Sequence, residues 1–397
     1  LFPNFGLVAL AWFASLGIDF YSVFNNVHGD IGHYQEWGGD ALKGQLPYSG
    51  FEFQYPPYCL PWFMLAASFP DEHTGVRVFT LEMSAVDALI KALLLVAGFR
   101  WLKSWRAWVP FAVFTTAGVL QYFIFLKRFD LIPAAMTLAA TLLLAAGSPL
   151  ASGLFVALGA GTKLYPVLMI PTFGLVAWRA GNVRRFVIGL AAGSAPLFLL
   201  AFFMPWWNFL SLHEARGLQV ESLYAGVIWL GQYAGLEGVT WHIQRASFEV
   251  HGPWTDAGLT LSKVLLTLTV LMSVAVSGEA ASRGRGRQPG ELARLALLPV
   301  LAFVAFNFVL SPQFMIWIIV LTALALTDRW SWPLAAILVG EALTPLIYPS
   351  KTYRTGLDLP RTVSMNIRNF ALAAAWVGLL IETRRSARAV GLSQRRT

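Results

Sequence analysis

A carboxylate and an aromatic hydroxyl four residues apart, Asp30 and Tyr34, stand just beyond the first apolar run of this 397-residue chain, with His33 between them. A carboxylate held near a membrane surface can take a proton from a sugar hydroxyl and so act as a general base. Asp30 could equally open a helix over 31–43 as its N-cap; spacing alone favours the cap and leaves the base open. Lys127 and Arg128, followed by Phe129 and Asp130, put two adjacent cations at a helix end. A phosphate there would supply their counter-charge; the alternative is an internal pair of Arg128 with Asp130 or a glutamate. Lys163 closes a Gly-rich apolar helix in Gly159-Ala-Gly-Thr-Lys-Leu-Tyr165-Pro166. It either snorkels to the interface or faces a polar cavity, and the small residues beside it permit close helix approach. His213, Arg216, Gln219 and Glu221 crowd one loop, without a helical spacing that would put them on one face. Gln313, after Pro312, either reads a polar head group or caps backbone that the proline frees. No His-x-x-x-His or Asp-x-Asp spacing suggests a metal site, and the single Cys59 excludes an intrachain disulfide.

The elements that must position these residues are membrane spans. Hydrophobic residues make up 57% of the chain and charged ones only 13%, with mean hydropathy +0.60, against about a quarter charged in soluble domains. The apolar runs are continuous, which argues for helices and against a barrel. Spans are expected at 3–24, 77–99, 107–126, 130–147, 151–165, 166–178, 185–204, 257–278, 293–310, 313–328, 332–347 and 363–382. Residues 55–70 are too short and Pro-marked to cross and read as a re-entrant or interfacial helix. The chain opens at Leu1, so a short piece is expected upstream, and the first run has no small-residue cleavage site of a signal peptide. One transmembrane domain covers 1–397, with no internal repeat.

Threading these spans alternately sorts the charges. One loop set, which includes Arg100, Arg179, Arg283, Arg285, Arg287, Arg329 and the tail 383–397, holds 16 basic residues against 4 acidic; the other holds 10 against 13. Positive-inside placement then puts both termini in the cytoplasm of a multi-pass plasma-membrane protein. That assignment, and not nucleic acid, accounts for the net charge of +8. Arg283-Gly-Arg-Gly-Arg287 reads as a solvated linker. The outer loops, 25–76 and 205–256, are long and rich in Trp, Tyr, His and Gly, so they should hold short helices and carry function. Asp19, Asp87 and Glu341 fall within spans, where an ionisable group is costly unless paired.

In order along the chain, Asp30 with Tyr34, Gly44…Pro47-Tyr48, Tyr55-Pro-Pro57, Arg128-Phe-Asp130, Lys163-Leu-Tyr165-Pro166, His213…Arg216…Gln219…Glu221-Ser222, Ser311-Pro-Gln313 and Arg368-Asn369 resemble glycosyltransferase family 87. These are GT-C-fold membrane enzymes that use polyprenyl-phosphate-mannose, among them the alpha-1,2-mannosyltransferases of phosphatidylinositol mannoside synthesis. The resemblance implies a hexose, mannose, moved from a polyprenyl-phosphate donor to a lipid or glycolipid acceptor at the outer face. It implies inversion by single displacement, Asp30 as catalytic base, and no cofactor. Lys127, Arg128, Lys163 and Arg216 would hold the donor phosphate. His33, Tyr34, Tyr55, Asp130, Tyr165, His213, Gln219, Glu221 and Gln313 would contact substrate. An arabinose donor is an alternative, as is a transporter or flippase of lipid-linked sugar. The transporter lacks the inverted repeat many such folds carry.

Overall fold

The computed structural model describes residues 5–24, 29–69, 71–244, 247–348 and 358–394; Arg395 and Arg396 of the expected cytoplasmic tail lie outside them. The first apolar run forms α1 (Phe5–Ser15) and α2 (Gly17–Phe24), and the first long loop holds α3 (Ile31–Leu42) and α4 (Leu60–Ala67). There follow α5 (Glu72–Trp101), α6 (Val109–Leu120), α7 (Tyr122–Phe125), α8 (Leu131–Ala145), α9 (Pro149–Thr162), α10 (Ile170–Arg179) and α11 (Val183–Leu200). The second long loop carries α12 (Phe209–Glu214), α13 (Leu223–Tyr233) and a hairpin of β1 (Thr240–Gln244) and β2 (Ser247–His251). The remainder is α14 (Thr255–Ser282), α15 (Pro289–Phe306), α16 (Phe314–Ala325), α17 (Trp332–Ile347) and α18 (Leu359–Gln394). Every expected span is met by helix, and the 55–70 segment is indeed a short helix, α4.

Five segments, Gly6–Phe24, Val183–Leu200, Thr255–Ser282, Pro289–Phe306 and Leu359–Ala389, are long and apolar enough to cross a membrane. Burial sorts them. All twelve residues of α16 are buried, and so are all but two of α15, so these two form the axis of the bundle. By contrast α1–α2, α11 and α14 turn Phe13, Phe20, Phe198 and Leu268 outward. Apolar rings on that scale do not face water stably; acyl chains are the solvent they fit. The chain is a helical polytopic membrane protein with one small hairpin.

Close backbone contact holds the bundle together where side chains are absent. A methyl at Gly153 of α9 would run into the Phe186 carbonyl, and one at Gly189 of α11 into that of Leu150. Glycine at both crossing points lets the helices approach without that clash. The span carboxylates Asp19, Asp87 and Glu341 have partners. Lys91 stands 2.5 Å from Asp87 and 3.4 Å from Asp19. It also donates to the Ser15 carbonyl at 2.9 Å, satisfying backbone freed where α1 breaks into α2. The Gln121 side-chain amide donates to Glu341 Oε2 at 2.5 Å.

The second long loop is folded on itself. Strand β2 pairs with β1 in the register Trp241–Val250. Backbone bonds from Val220 to Phe248 (2.9 Å) and from Val250 to Leu218 (2.8 Å) add the 218–220 segment as a third line. Leu218, Val220, Tyr224 and Trp229 then close a small core against Met365 of α18. The Arg283–Arg287 loop is not the solvated linker its composition suggests. Gly284 and Gly286 take φ of +91° and +88°, and Glu291 Oε2 accepts the Gly286 and Arg287 amides at 2.7 and 3.1 Å.

Candidate functional site

Asp30 occupies the N-cap position of α3, yet its side chain makes no capping bond. Its carboxylate instead pairs with the Arg128 guanidinium, with 36% of the Asp30 side chain exposed against 9% for Arg128. Arg128 also donates to the Tyr348 hydroxyl at 3.1 Å. Its partner is therefore neither Asp130 nor a glutamate but the candidate base itself.

Asp130 is taken by Lys163. The ammonium lies 2.6 Å from Asp130 Oδ1, and Trp317 Nε1 donates to the same oxygen at 2.7 Å. Oδ2 is buried and has no hydrogen-bond partner among the described residues. Four rings surround the Lys163 ammonium: Phe129 at 4.7 Å, Trp317 at 5.1 Å, Tyr55 at 5.3 Å and Phe314 at 5.8 Å. Electron-rich ring faces partly replace the water a buried cation has lost. Tyr165 stacks on Trp317 with centroids 4.4 Å apart and shares a 3.0 Å hydrogen bond with Thr137. This lysine faces inward, as the Gly-rich helix end suggests.

Lys127 points elsewhere. Its ammonium donates to the Ser22 carbonyl at 3.0 Å and to Thr80 Oγ1 at 2.9 Å, tying α2 to α5. Burial pushes it down to about 8. Two adjacent cations thus serve different neighbours.

Tyr34 lies flat on Phe63, centroids 4.4 Å apart, with its hydroxyl buried and unpartnered among the described residues. Burial raises the pKa of Tyr34 and of Tyr55, chiefly by desolvation, so both hydroxyls keep their protons and can donate. His33, one residue before Tyr34 on α3, is exposed and lies 3.6 Å from Glu36.

From the second long loop, His213 and Arg216 converge on Gln54, the residue before Tyr55. Arg216 donates to Gln54 Oε1 at 2.9 Å, and His213 Nε2 lies 2.9 Å from the Gln54 carbonyl. Burial, with the Arg216 charge second, pushes His213 down to about 4. The imidazole is therefore neutral near pH 7, and a carbonyl partner requires its hydrogen on Nε2. Arg216 Nε is buried without a partner among the described residues. Gln219 and Glu221 belong to the loop's own scaffolding. The Gln219 amide donates to the Phe308 carbonyl at 2.9 Å. Glu221 takes Arg368 at 2.6 Å, and its carbonyl accepts from Asn369 at 2.9 Å. Gln313 makes no capping bond to the backbone of α16; its side chain accepts from the Ser311 hydroxyl.

The structure thus brings Asp30, Arg128, Asp130, Lys163, Tyr55 and Tyr165 into one connected set, with His213 and Arg216 joined to it through Gln54. Beside it a cleft of ≈ 440 Å³ opens where the two long loops meet, lined by Tyr48, Phe51, Glu52, Asn208 and Ser211. Gln54, Trp317, Tyr348 and Phe314 contact this set and were not among the candidates that the sequence offered. Trp317 lies in the same Pro-broken segment as Gln313, which is the one signal that pointed toward it.

No family model matches the chain, and no curated protein matches its sequence. Among solved structures, the crystal structure of ArnT from Cupriavidus metallidurans bound to undecaprenyl phosphate is similar over 97% of this chain and 77% of that one. The identity is 15% and the TM-score 0.49.

Proposed function

We propose that this chain is a GT-C-type glycosyltransferase that moves mannose from a polyprenyl-phosphate donor to a hydroxyl of a lipid or glycolipid. The site would lie on the extracytoplasmic face of the plasma membrane, with both termini inside. The observation that carries the reading is the Asp30–Arg128 pair: a half-exposed carboxylate beside a buried guanidinium, two residues along the chain from the carboxylate that holds Lys163. A base that must deprotonate a sugar hydroxyl and cations that must steady a departing phosphate have to be neighbours, and the contact of Asp30 with Arg128 supports that reading.

The acceptor oxygen attacks the anomeric carbon as the bond from that carbon to the phosphate oxygen breaks. Asp30 takes the acceptor's proton, and the configuration inverts. The polyprenyl phosphate leaves with one more negative charge than it held in the donor. Guanidinium and ammonium groups already in place stabilise that charge without rearranging solvent. Arg128 is the principal donor, Lys163 adds its positive charge from within its pair with Asp130, and Arg216 has an unused N–H to offer. In this structure Arg128 is the counter-ion of Asp30. A donor phosphate that engages Arg128 competes for that guanidinium and leaves the carboxylate freer to accept a proton. Base activation would then follow donor binding. The protonated hydroxyls of Tyr34, Tyr55 and Tyr165 suit a sugar. His33, His213 and Gln313 make up the outer recognition set, Gln219 and Glu221 shape the loop that carries His213 and Arg216, and Lys127 braces the turn that carries Arg128.

The test is transfer of radiolabel from polyprenyl-phosphate-mannose to membrane lipid by detergent-purified protein. Asp30→Asn, which keeps a polar group against Arg128, should cut transfer by about 10³-fold while the unfolding midpoint holds. Full activity in that variant would remove Asp30 as base. Counterflow of intact donor with no product would replace the transferase with a transporter.

A further inference from the structure

The opposite end of the bundle holds a larger opening, which the chemistry above does not use. A cleft of ≈ 740 Å³ lies between the Arg283–Arg287 loop, the 328–331 turn and α18, lined by Arg285, Arg329, Trp330, Ser331, Glu382 and Arg385. Its acidic groups are already engaged. Glu382 takes both Arg294 (3.2 Å) and Arg329 (3.4 Å), Asp328 takes Arg294 at 3.0 Å, and Glu291 pairs with Arg285. Arg385 is exposed and has no ion-pair partner among the described residues. An anion entering this cleft therefore meets guanidinium groups whose positions are fixed and one that is unspent.

Positive-inside placement explains why arginines gather at this end, but it asks only for solvated loops. The loop here is held by two left-handed glycines and clipped by Glu291, so Arg285 faces the cleft in a set geometry. Trp330 in its lining stands 61% exposed, and Trp332, two residues on, 57%. Indoles in that position mark the water–lipid boundary of a membrane protein. A fork-shaped cation cluster at that depth, next to bilayer and wide enough for a head group, matches the phosphate of a phospholipid.

We propose that this cleft binds the head-group phosphate of an anionic phospholipid, with Arg285, Arg329 and Arg385 as donors and Trp330 against the glycerol region. The assignment stands independently of the transferase reading. Full-length protein in neutral detergent, titrated with phosphatidylglycerol or with phosphatidylcholine, tests it by native mass spectrometry and thermal unfolding. Phosphatidylglycerol should form discrete adducts and raise the unfolding midpoint, and phosphatidylcholine should do neither. Arg385→Gln should weaken the adduct by about tenfold, the loss of one charge-assisted contact, and leave the lipid-free midpoint unchanged. Equal response to the two lipids, or an undiminished adduct in Arg385→Gln joined with Arg329→Gln, would overturn the site. Inorganic phosphate alone reproducing the shift would overturn the lipid assignment in favour of a soluble anion.

Discussion

Two ion pairs at one end of the bundle use the same chemistry in different settings. Asp130–Lys163 is sealed: the carboxylate is 0% exposed and the ammonium is ringed by aromatic faces. Asp30–Arg128 is half open, because Asp30 reaches the surface while Arg128 does not. A sealed pair cannot trade partners without leaving a bare charge in a medium that solvates it poorly, so it fixes shape. An open pair can trade, since water or a ligand can take the place of either member. The contrast points to a division of labour within a few residues of chain: one pair suits holding the frame, and the other suits exchange.

Breaking the sealed pair should have the largest effect. Asp130→Asn leaves Lys163 buried without a counter-charge and should cost about 3–5 kcal/mol of stability, read as a lowered unfolding midpoint in detergent. Adding Lys163→Met should restore much of it; a single variant as stable as the parent would show that the pair is not sealed. Opening the other pair is expected to act on ligand before stability. Arg128→Gln should raise the donor KM by about 10–100-fold, the worth of one or two hydrogen bonds to a charged group, with a smaller midpoint change than Asp130→Asn. An unchanged KM would remove Arg128 from the phosphate site.

The smallest effect concerns the loop that leans on Gln54. His213 is held near 4, below its ordinary 6.5, because burial favours the neutral ring. Between those values the unfolded chain binds a proton that the folded one refuses. Stability from this group is therefore complete above about pH 6.5 and lost progressively as pH falls toward 4. The unfolding midpoint should drop over that window, and His213→Gln should flatten the drop. An identical acid limb in the variant would assign it to other groups.

Much of the frame was legible in the sequence. Twelve apolar runs, the break at Pro166 and the start of α3 after Asp30 all reappear as helix or helix boundary. Asp30, Arg128 and Lys163 were legible because charges are conspicuous in such a chain. Their partners were not. Lys163 meets Asp130 across 33 residues, Arg216 meets Gln54 across 162, and Trp317 meets Asp130 across 187. Periodicity says which face of a helix is apolar; it does not say which helix will stand opposite. The Arg283–Arg287 loop was misjudged for a related reason. Its order comes from glycine backbone angles and from the clip at Glu291, neither of which composition reveals.

Under the proposed transfer, the brevity of α16 shapes how substrates would arrive. Twelve residues at about 1.5 Å of rise make a rod about 18 Å long, against a hydrocarbon layer of about 30 Å. If its Ala325 end rests at one water boundary, its Phe314 end stops roughly 12 Å short of the other. The polar groups next to it, Trp317 and the carboxylate it holds, then sit at the floor of a well sunk into the bilayer. A greasy-tailed substrate could slide in sideways without its chain ever leaving the oil, while a sugar hydroxyl descends from the aqueous rim to meet it.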